Sequence, residues 1–441
     1  MPLTLLPSKF RLTLLAVLLL LALPLTVQAV PGLCDGTPND DNIDCTTSLT
    51  YPDNAIELDL GSDTLIIRAN VSVGYVWGDI APGEVRPSAT GGNDRVENYG
   101  VTSVIAGDGV RNANGGDDVL IMHEGGTEGF MTGDDLLINQ NGTYRGGNDT
   151  ITNHGTSGSL SGDAITITDG ASPTVTGGDD NITNTGTTGQ ITGDGITLIE
   201  NLGHKFFGRG GADVITNSGI VEGYIIGDSA AEGGTDTIIN TGTVTAGIYG
   251  DVSPETNCRV DCYPSERGAA DIIINSGTVG SCSNCAAYIY AEGGDDVVTL
   301  RPGANGGDDN NLPVDGGAGN DTLIFEFGAA TPATYYGSPS SGSVTIDGQT
   351  FRWANFETVE GLGTSLIGNC DGTTGNDVIN CTAAPSNPDP HIDGNSGNDQ
   401  ITLASGITVE MLSGDSQQNW LVNASDGGND SITSNGTTVA I

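Results

Sequence analysis

The chain has 441 residues, with 13 Lys or Arg against 56 Asp or Glu, a formal net charge of −43. That balance argues against direct binding to nucleic acid or to an anionic membrane surface, and bound cations are the simplest means of offsetting the self-repulsion. Sixty-nine glycines and abundant Thr, Asn and Asp disfavour helix, while 36% apolar residues, with Ile and Val at regular places, indicate a folded all-β chain.

The first 29 residues read as a signal peptide. Lys9 and Arg11 form a basic start, LTLLAVLLLLALPL (12–25) an apolar core too short for a membrane span of ~20 residues, and Val27-Gln28-Ala29 a small-residue cleavage site. Cleavage leaves a mature charge of −45 and no transmembrane segment, so a secreted or cell-surface location is expected. Eight cysteines fit an oxidising compartment. Cys34 and Cys45 stand eleven apart and are expected to bridge.

From Asp63 onward one phrase recurs: DRVENYGVTSVIAGD (94–108), DTITNHGTSGSLSGD (149–163), DNITNTGTTGQITGD (180–194), DVITNSGIVEGYIIGD (213–228) and DTIINTGTVTAGIYGD (236–251). Looser copies begin at Asp63, Asp118, Asp271 and Asp296. The anchoring Asps recur every 23 to 35 residues, which is the signature of stacked supersecondary units. Two residues after each anchor an apolar side chain (Val96, Ile151, Ile182, Ile215, Ile238, Ile273) points inward in a period-2 strand. Four after it stands Asn (98, 153, 184, 217, 240, 275), expected to stack on its equivalent one coil away. Six after it stands Gly (100, 155, 186, 219, 242, 277), at a position taken to require a φ that only Gly accepts cheaply. Met122 and His123 break the pattern in the copy at Asp118. The longer coils are expected to add a third strand, such as AITIT (164–168) and GITLI (195–199). This pattern predicts a parallel β-solenoid (β-helix or β-roll-like). Eleven anchors from Asp41 to Asp321 give about ten coils and, at ~4.8 Å per coil, a rod on the order of 50 Å.

Cys258, Cys262, Cys282 and Cys285 follow as C-x₃-C and C-x₂-C. Their spacing would suit zinc, but in an exported chain disulfides are expected, with local and cross-coil pairings both open.

GGAGNDTLI (316–324) is a full match to the nonapeptide G-G-x-G-x-D-x-U-x, so the chain resembles the RTX (hemolysin-type) calcium-binding repeat proteins. The resemblance implies Ca²⁺ held in Gly-Asp turns between coils, with Gly317, Gly319 and Asp321 as ligand-bearing residues and Leu323 inward. GTTGNDVIN (372–380) and GNSGNDQIT (394–402) extend the implication to Gly375, Asp377, Gly397 and Asp399. The shortened G-x-D-x-U phrase extends it to Asp94, Asp118, Asp149, Asp180 and Asp430. RTX units recur every nine residues, whereas these recur at 23 to 35, and the alternative reading of the Gly-Asp pairs is as plain turn formers. A closing segment (about 326–369) also resembles those that end repeat blocks in secreted RTX and adhesin-like proteins. In VTIDGQTFRWANFETVEGL (344–362), Phe351, Trp353 and Phe356 would cover the apolar end of the solenoid, unless the stretch is an ordinary hairpin.

CDGTPNDDNIDCT (34–46) returns as CDGTTGNDVINCT (370–382), and the offset of 336 holds to the last residue. Residues 30–369 therefore read as one complete unit and 370–441 as the truncated start of a second, in which Cys370 and Cys381 would bridge. The last coil ends inside a strand, as in a longer tandem array or an end that pairs with something.

His123, His154, His204 and His391 share no repeat position and suggest neither a metal cluster nor a triad. These features favour an exported calcium-binding repeat protein with a structural or adhesive role, with extracellular glycan or surface components as partners. The alternative is a polysaccharide lyase or hydrolase on a parallel β-helix. Its groove would need basic and aromatic residues, and His204 to Arg209 is the one basic-aromatic loop.

Overall fold

The computed structural model describes residues 34–49, 55–79, 90–109, 111–168, 173–198, 207–230, 232–251, 268–280, 289–305, 313–328, 334–362, 364–367, 378–381, 391–393, 398–403, 405–406, 408–413 and 429–440. The signal segment, Cys258, Cys262, Cys282, Cys285, Cys370, Gly375, Asp377, Gly397 and residues 204–206 lie outside them.

Each of the eleven anchoring Asps is followed at the next residue by a strand, and these strands stack in chain order. With Thr358–Glu360 they form one twelve-stranded sheet, parallel throughout. The register is the one the repeat phrase requires. Ile151 pairs with Ile182, Ile182 with Ile215, Ile215 with Ile238 and Ile238 with Ile273, and all are buried. Burying such a side chain contributes about 1.5–3 kcal/mol. A second long sheet of fourteen strands runs beside it, parallel from Ala55–Glu57 to Val314–Asp315. A six-stranded sheet of two-residue strands, from Thr127–Glu128 to Thr278–Val279, bridges the turn between them. One continuous apolar cluster from Cys34 to Phe356 fills the interior. The chain is an all-β parallel solenoid.

The Asn positions form an internal line of hydrogen bonds. The Nδ2 atoms of Asn153, Asn184, Asn217 and Asn240 each donate to Oδ1 of the next Asn at 2.8 Å, ending on Asn275. Met122 pairs with both Asn98 and Asn153 and interrupts the line, so Asn98 bonds Thr102 instead. Replacing Asn184 with Ala strips partners from Asn153 and Asn217 at once. The expected loss is about 2–3 kcal/mol, read as a lower midpoint in urea unfolding with unchanged slope.

Two local expectations need correction. The Gly six after each anchor has no positive φ, and what excludes a side chain there is the preceding coil. A Cβ on Gly186 would run into the backbone of Gly155, one on Gly219 into Gly186, and one on Gly242 into Gly219. AITIT is likewise no separate strand, because Leu160–Ile167 runs unbroken through Gly162-Asp163 into it. The added strands of the long coils are Thr143–Arg145, Thr174–Thr176 and Phe207–Arg209, which form a lateral sheet. A second small core packs there, with Leu136, Ile138, Tyr144, Ile165, Ile167 and Val175 buried.

Cys34 and Cys45 are joined by a disulfide, and Cys381 is disulfide-bonded as well. In the closing segment Ser341–Ile346 and Gln349–Ala354 form an antiparallel hairpin that continues the second long sheet. It is both hairpin and cover, since Phe351, Trp353 and Phe356 are buried against the core. Phe325 meets Phe351 and Trp353 edge-on, at 5.9 and 5.7 Å between centroids. In the 370–441 segment, Val378–Cys381, His391–Asp393, Gln400–Leu403 and Ser431–Ser434 stand at the same offset of 336 from Asn42–Cys45, Ala55–Glu57, Thr64–Ile67 and Arg95–Asn98. They enclose a core of their own.

Candidate metal centre

Two columns of buried Asp meet where the second long sheet hands the chain to the first. The first column is the anchors. The backbone N–H of each donates to Oδ1 of the anchor one coil later, at 2.6–2.9 Å, from Asp41 through to Asp321. At Asp321 the acceptor becomes Glu357 Oε2, 2.6 Å away. With Oδ1 so engaged, Oδ2 of Asp94, Asp118, Asp149, Asp180, Asp213, Asp236, Asp271, Asp296 and Asp321 is buried and has no hydrogen-bond partner.

The second column is the Asp of the closing Gly-Asp: Asp79, Asp108, Asp134, Asp163, Asp194, Asp228 and Asp251, all buried. A backbone N–H in the next glycine-rich turn holds one carboxylate oxygen of each. Gly116 donates to Asp108, Gly147 to Asp134 and Gly211 to Asp194 at 2.6 Å, and Gly178 to Asp163 at 2.7 Å. The remaining oxygen of Asp108, Asp134, Asp163 and Asp251 is buried without a partner.

The two columns interdigitate. Asp79, Asp94 and Asp108 each bring one oxygen within 4.8 Å of the others, and four further triads follow: 108/118/134, 134/149/163, 163/180/194 and 194/213/228. The Gly of each closing pair leaves room for this. Oδ2 of Asp213 and the carbonyl oxygen of Gly227 both lie against the bare Cα of Gly193, and Asp94 with Gly107 do the same at Gly78. Each triad is thus an all-oxygen cluster in the interior, able to hold a metal ion.

Burial is the chief force on these carboxyls and favours their neutral form, pushing Asp94 up to about 8. Asp118, Asp134, Asp149, Asp180 and Asp194 are raised well above the usual carboxylate range by burial and by their carboxylate neighbours. Asp163 reaches only about 6, because the Gly178 N–H supports its charged form against burial. Among the described residues, the ion pairs of Arg68, Arg95, Arg301 and His123 go to Asp44, Glu97 and Glu326, none of them in either column.

Of the residues singled out from sequence, Asp94, Asp118, Asp149 and Asp180 each stand in one of these five triads. Asp399 donates its N–H to Oδ1 of Asp430 at 2.9 Å, repeating the anchor contact in the second copy. Asp321, in the fullest motif match, lies outside the five triads named. Its carboxyl is buried and raised to about 6, and Gly317 beside it has φ 91°. Gly319 stacks on the carbonyl of Gly294. The closing column was missed in sequence, although its signal is plain in hindsight: the repeat phrase ends on Gly-Asp as regularly as it begins on Asp.

Comparison with protein-family models, with curated proteins and with solved structures finds no match.

Proposed function

We propose that this chain is an exported calcium-binding repeat protein, similar in kind to RTX proteins, that serves a structural or adhesive role outside the cell. The observation that carries the reading is the series of buried Asp triads, in each of which the anchor's Oδ2 is buried without a hydrogen-bond partner. Carboxylates with carbonyl oxygens, and no His or Cys, are a donor set for a hard cation. Ca²⁺, which accepts six to eight oxygens in flexible geometry, suits it better than Mg²⁺, which dehydrates reluctantly. Export is supported by the apolar leader and by the Cys34–Cys45 disulfide. A stacked rod that gains rigidity from bound cations suits a scaffold or a stalk.

The test is thermal unfolding in EDTA, in millimolar CaCl₂ and in MgCl₂ or NaCl at matched ionic strength. An affinity on the order of 10⁻⁴ M would let 10 mM calcium add about 2.7 kcal/mol per site. A midpoint that rises equally in magnesium or in plain salt overturns the calcium reading.

A further inference from the structure

We infer that the cations form a single file through the solenoid, one divalent ion per coil, with each closing Asp shared between two successive ions. This rests on the calcium reading and adds to it a stoichiometry and a division of labour between the columns. Among the five triads, Asp108, Asp134, Asp163 and Asp194 each belong to two, whereas Asp94, Asp118, Asp149, Asp180 and Asp213 each belong to one. The anchor has one oxygen tied to the neighbouring coil's amide and a single buried oxygen, Oδ2, left for an ion.

Charge selects the ion. Every coil of the series contributes one anchor and one closing Asp, hence two negative charges, and their own backbone contacts neutralise neither. One divalent cation per coil balances the column, while a monovalent ion leaves a buried negative charge on every coil. Consecutive coils stand ~4.8 Å apart, so neighbouring ions would repel strongly without a carboxylate between them. The shared Asp supplies that carboxylate, and filling one position orders a ligand of the next.

The two columns therefore respond differently to the same chemical change. In Asp180→Asn the amide oxygen keeps the bond from the Asp149 N–H, and one ion position loses its charge-bearing ligand. In Asp163→Asn the amide oxygen keeps the bond from Gly178, and the NH₂ replaces an oxygen of a side chain that stands within 4.8 Å of a carboxylate oxygen of both Asp134 and Asp194. That variant retains a satisfied fold but loses a ligand from two positions. Calcium bound per chain is to be measured by equilibrium dialysis with elemental analysis, using purified full-length protein. Far-UV circular dichroism confirms the strand content of each variant, and Asp134→Asn serves as a second shared-position variant should one fail to fold.

The expected result is about one ion lost in Asp180→Asn and about two in Asp163→Asn or Asp134→Asn, with wild type titrating at a Hill coefficient above one. Equal losses from the two columns, or a Hill coefficient of one, overturn the file and leave calcium binding standing. Wild type that binds no calcium overturns both.

Discussion

Calcium-free protein is expected to lose stability steadily as the pH rises from about 4 to about 8, and calcium is expected to reverse that trend. Asp63 and Asp228 are raised to about 7, Asp251 and Asp296 to about 8 and Asp271 to about 10, burial being the largest cause in each. In the unfolded chain the same groups ionise near 3.8. Below that value both states are protonated, and the stability associated with these groups is fully present. Between 3.8 and the folded values only the folded state keeps its protons, so raising the pH favours unfolding, by about 1.4 kcal/mol per unit for each group. Two groups across two units remove on the order of 5 kcal/mol, a large share of a domain's usual 5–15. Calcium competes with the protons for the same oxygens, so it binds more tightly as the pH rises and is released in acid. Chemical unfolding at pH 4, 6 and 8, in EDTA and in calcium, should give curves that cross. Calcium-free stability that is flat or rises over this range would show that these carboxyls are not held neutral in the folded chain.

Gly193→Ala should be among the most damaging single-methyl changes in the molecule, while Gly195→Ala, two residues on, should be harmless. A Cβ on Gly193 meets the carboxylate of Asp213, with Cγ only 2.8 Å away, and the carbonyl of Gly227. Neither can retreat, since one is held by the Asp180 N–H and the other is backbone. The cost is about 3 kcal/mol, together with loss of calcium at that coil. On Gly195 the nearest atoms are 3.6 and 3.8 Å away, and Ala164 already occupies the paired position one coil earlier. Here the methyl restricts the unfolded chain and adds about 0.5 kcal/mol. Urea midpoints of the two variants decide the matter. A Gly193→Ala protein as stable as wild type would mean that the corner is not closely packed.

The repeat was legible because three constraints fall on each phrase at fixed spacing: an inward aliphatic, an inward Asn and a Gly against the coil before. Ile182, Asn184 and Gly186 each answer to a neighbour one coil away, and a solenoid repeats that demand. The metal-holding geometry was half legible. The anchors head the phrase and sit in a glycine-rich motif, whereas Asp163 stands inside an alternating strand, where Gly-Asp reads as an end. Its partners are set by the hand-over between sheets: Asp163 meets Asp180 across a lateral arm, while Asp228 and Asp236 are joined by a much shorter loop. Loops of such different length hide a contact that stacking makes constant. The lateral sheet was misplaced for a related reason, since alternation in AITIT marks a strand without saying whether it continues the previous one.

The bonds between anchors all run one way along the chain, with the donor in the earlier coil and the acceptor in the later. The two faces of the stack are consequently unequal. At Asp41, the first anchor among the described residues, the carboxylate accepts from the N–H and hydroxyl of Thr37, at 2.6 and 2.8 Å, in place of an anchor's amide. That is an inexpensive remedy, because an idle carboxylate at a surface can always take water. The last coil faces the opposite need, an amide awaiting an acceptor that only a following coil would bring. Glu357 meets it from the covering segment, with a side chain one methylene longer than the Asp it replaces. Removing one coil from the middle of the stack leaves this logic intact, whereas removing Glu357 leaves the Asp321 amide unanswered.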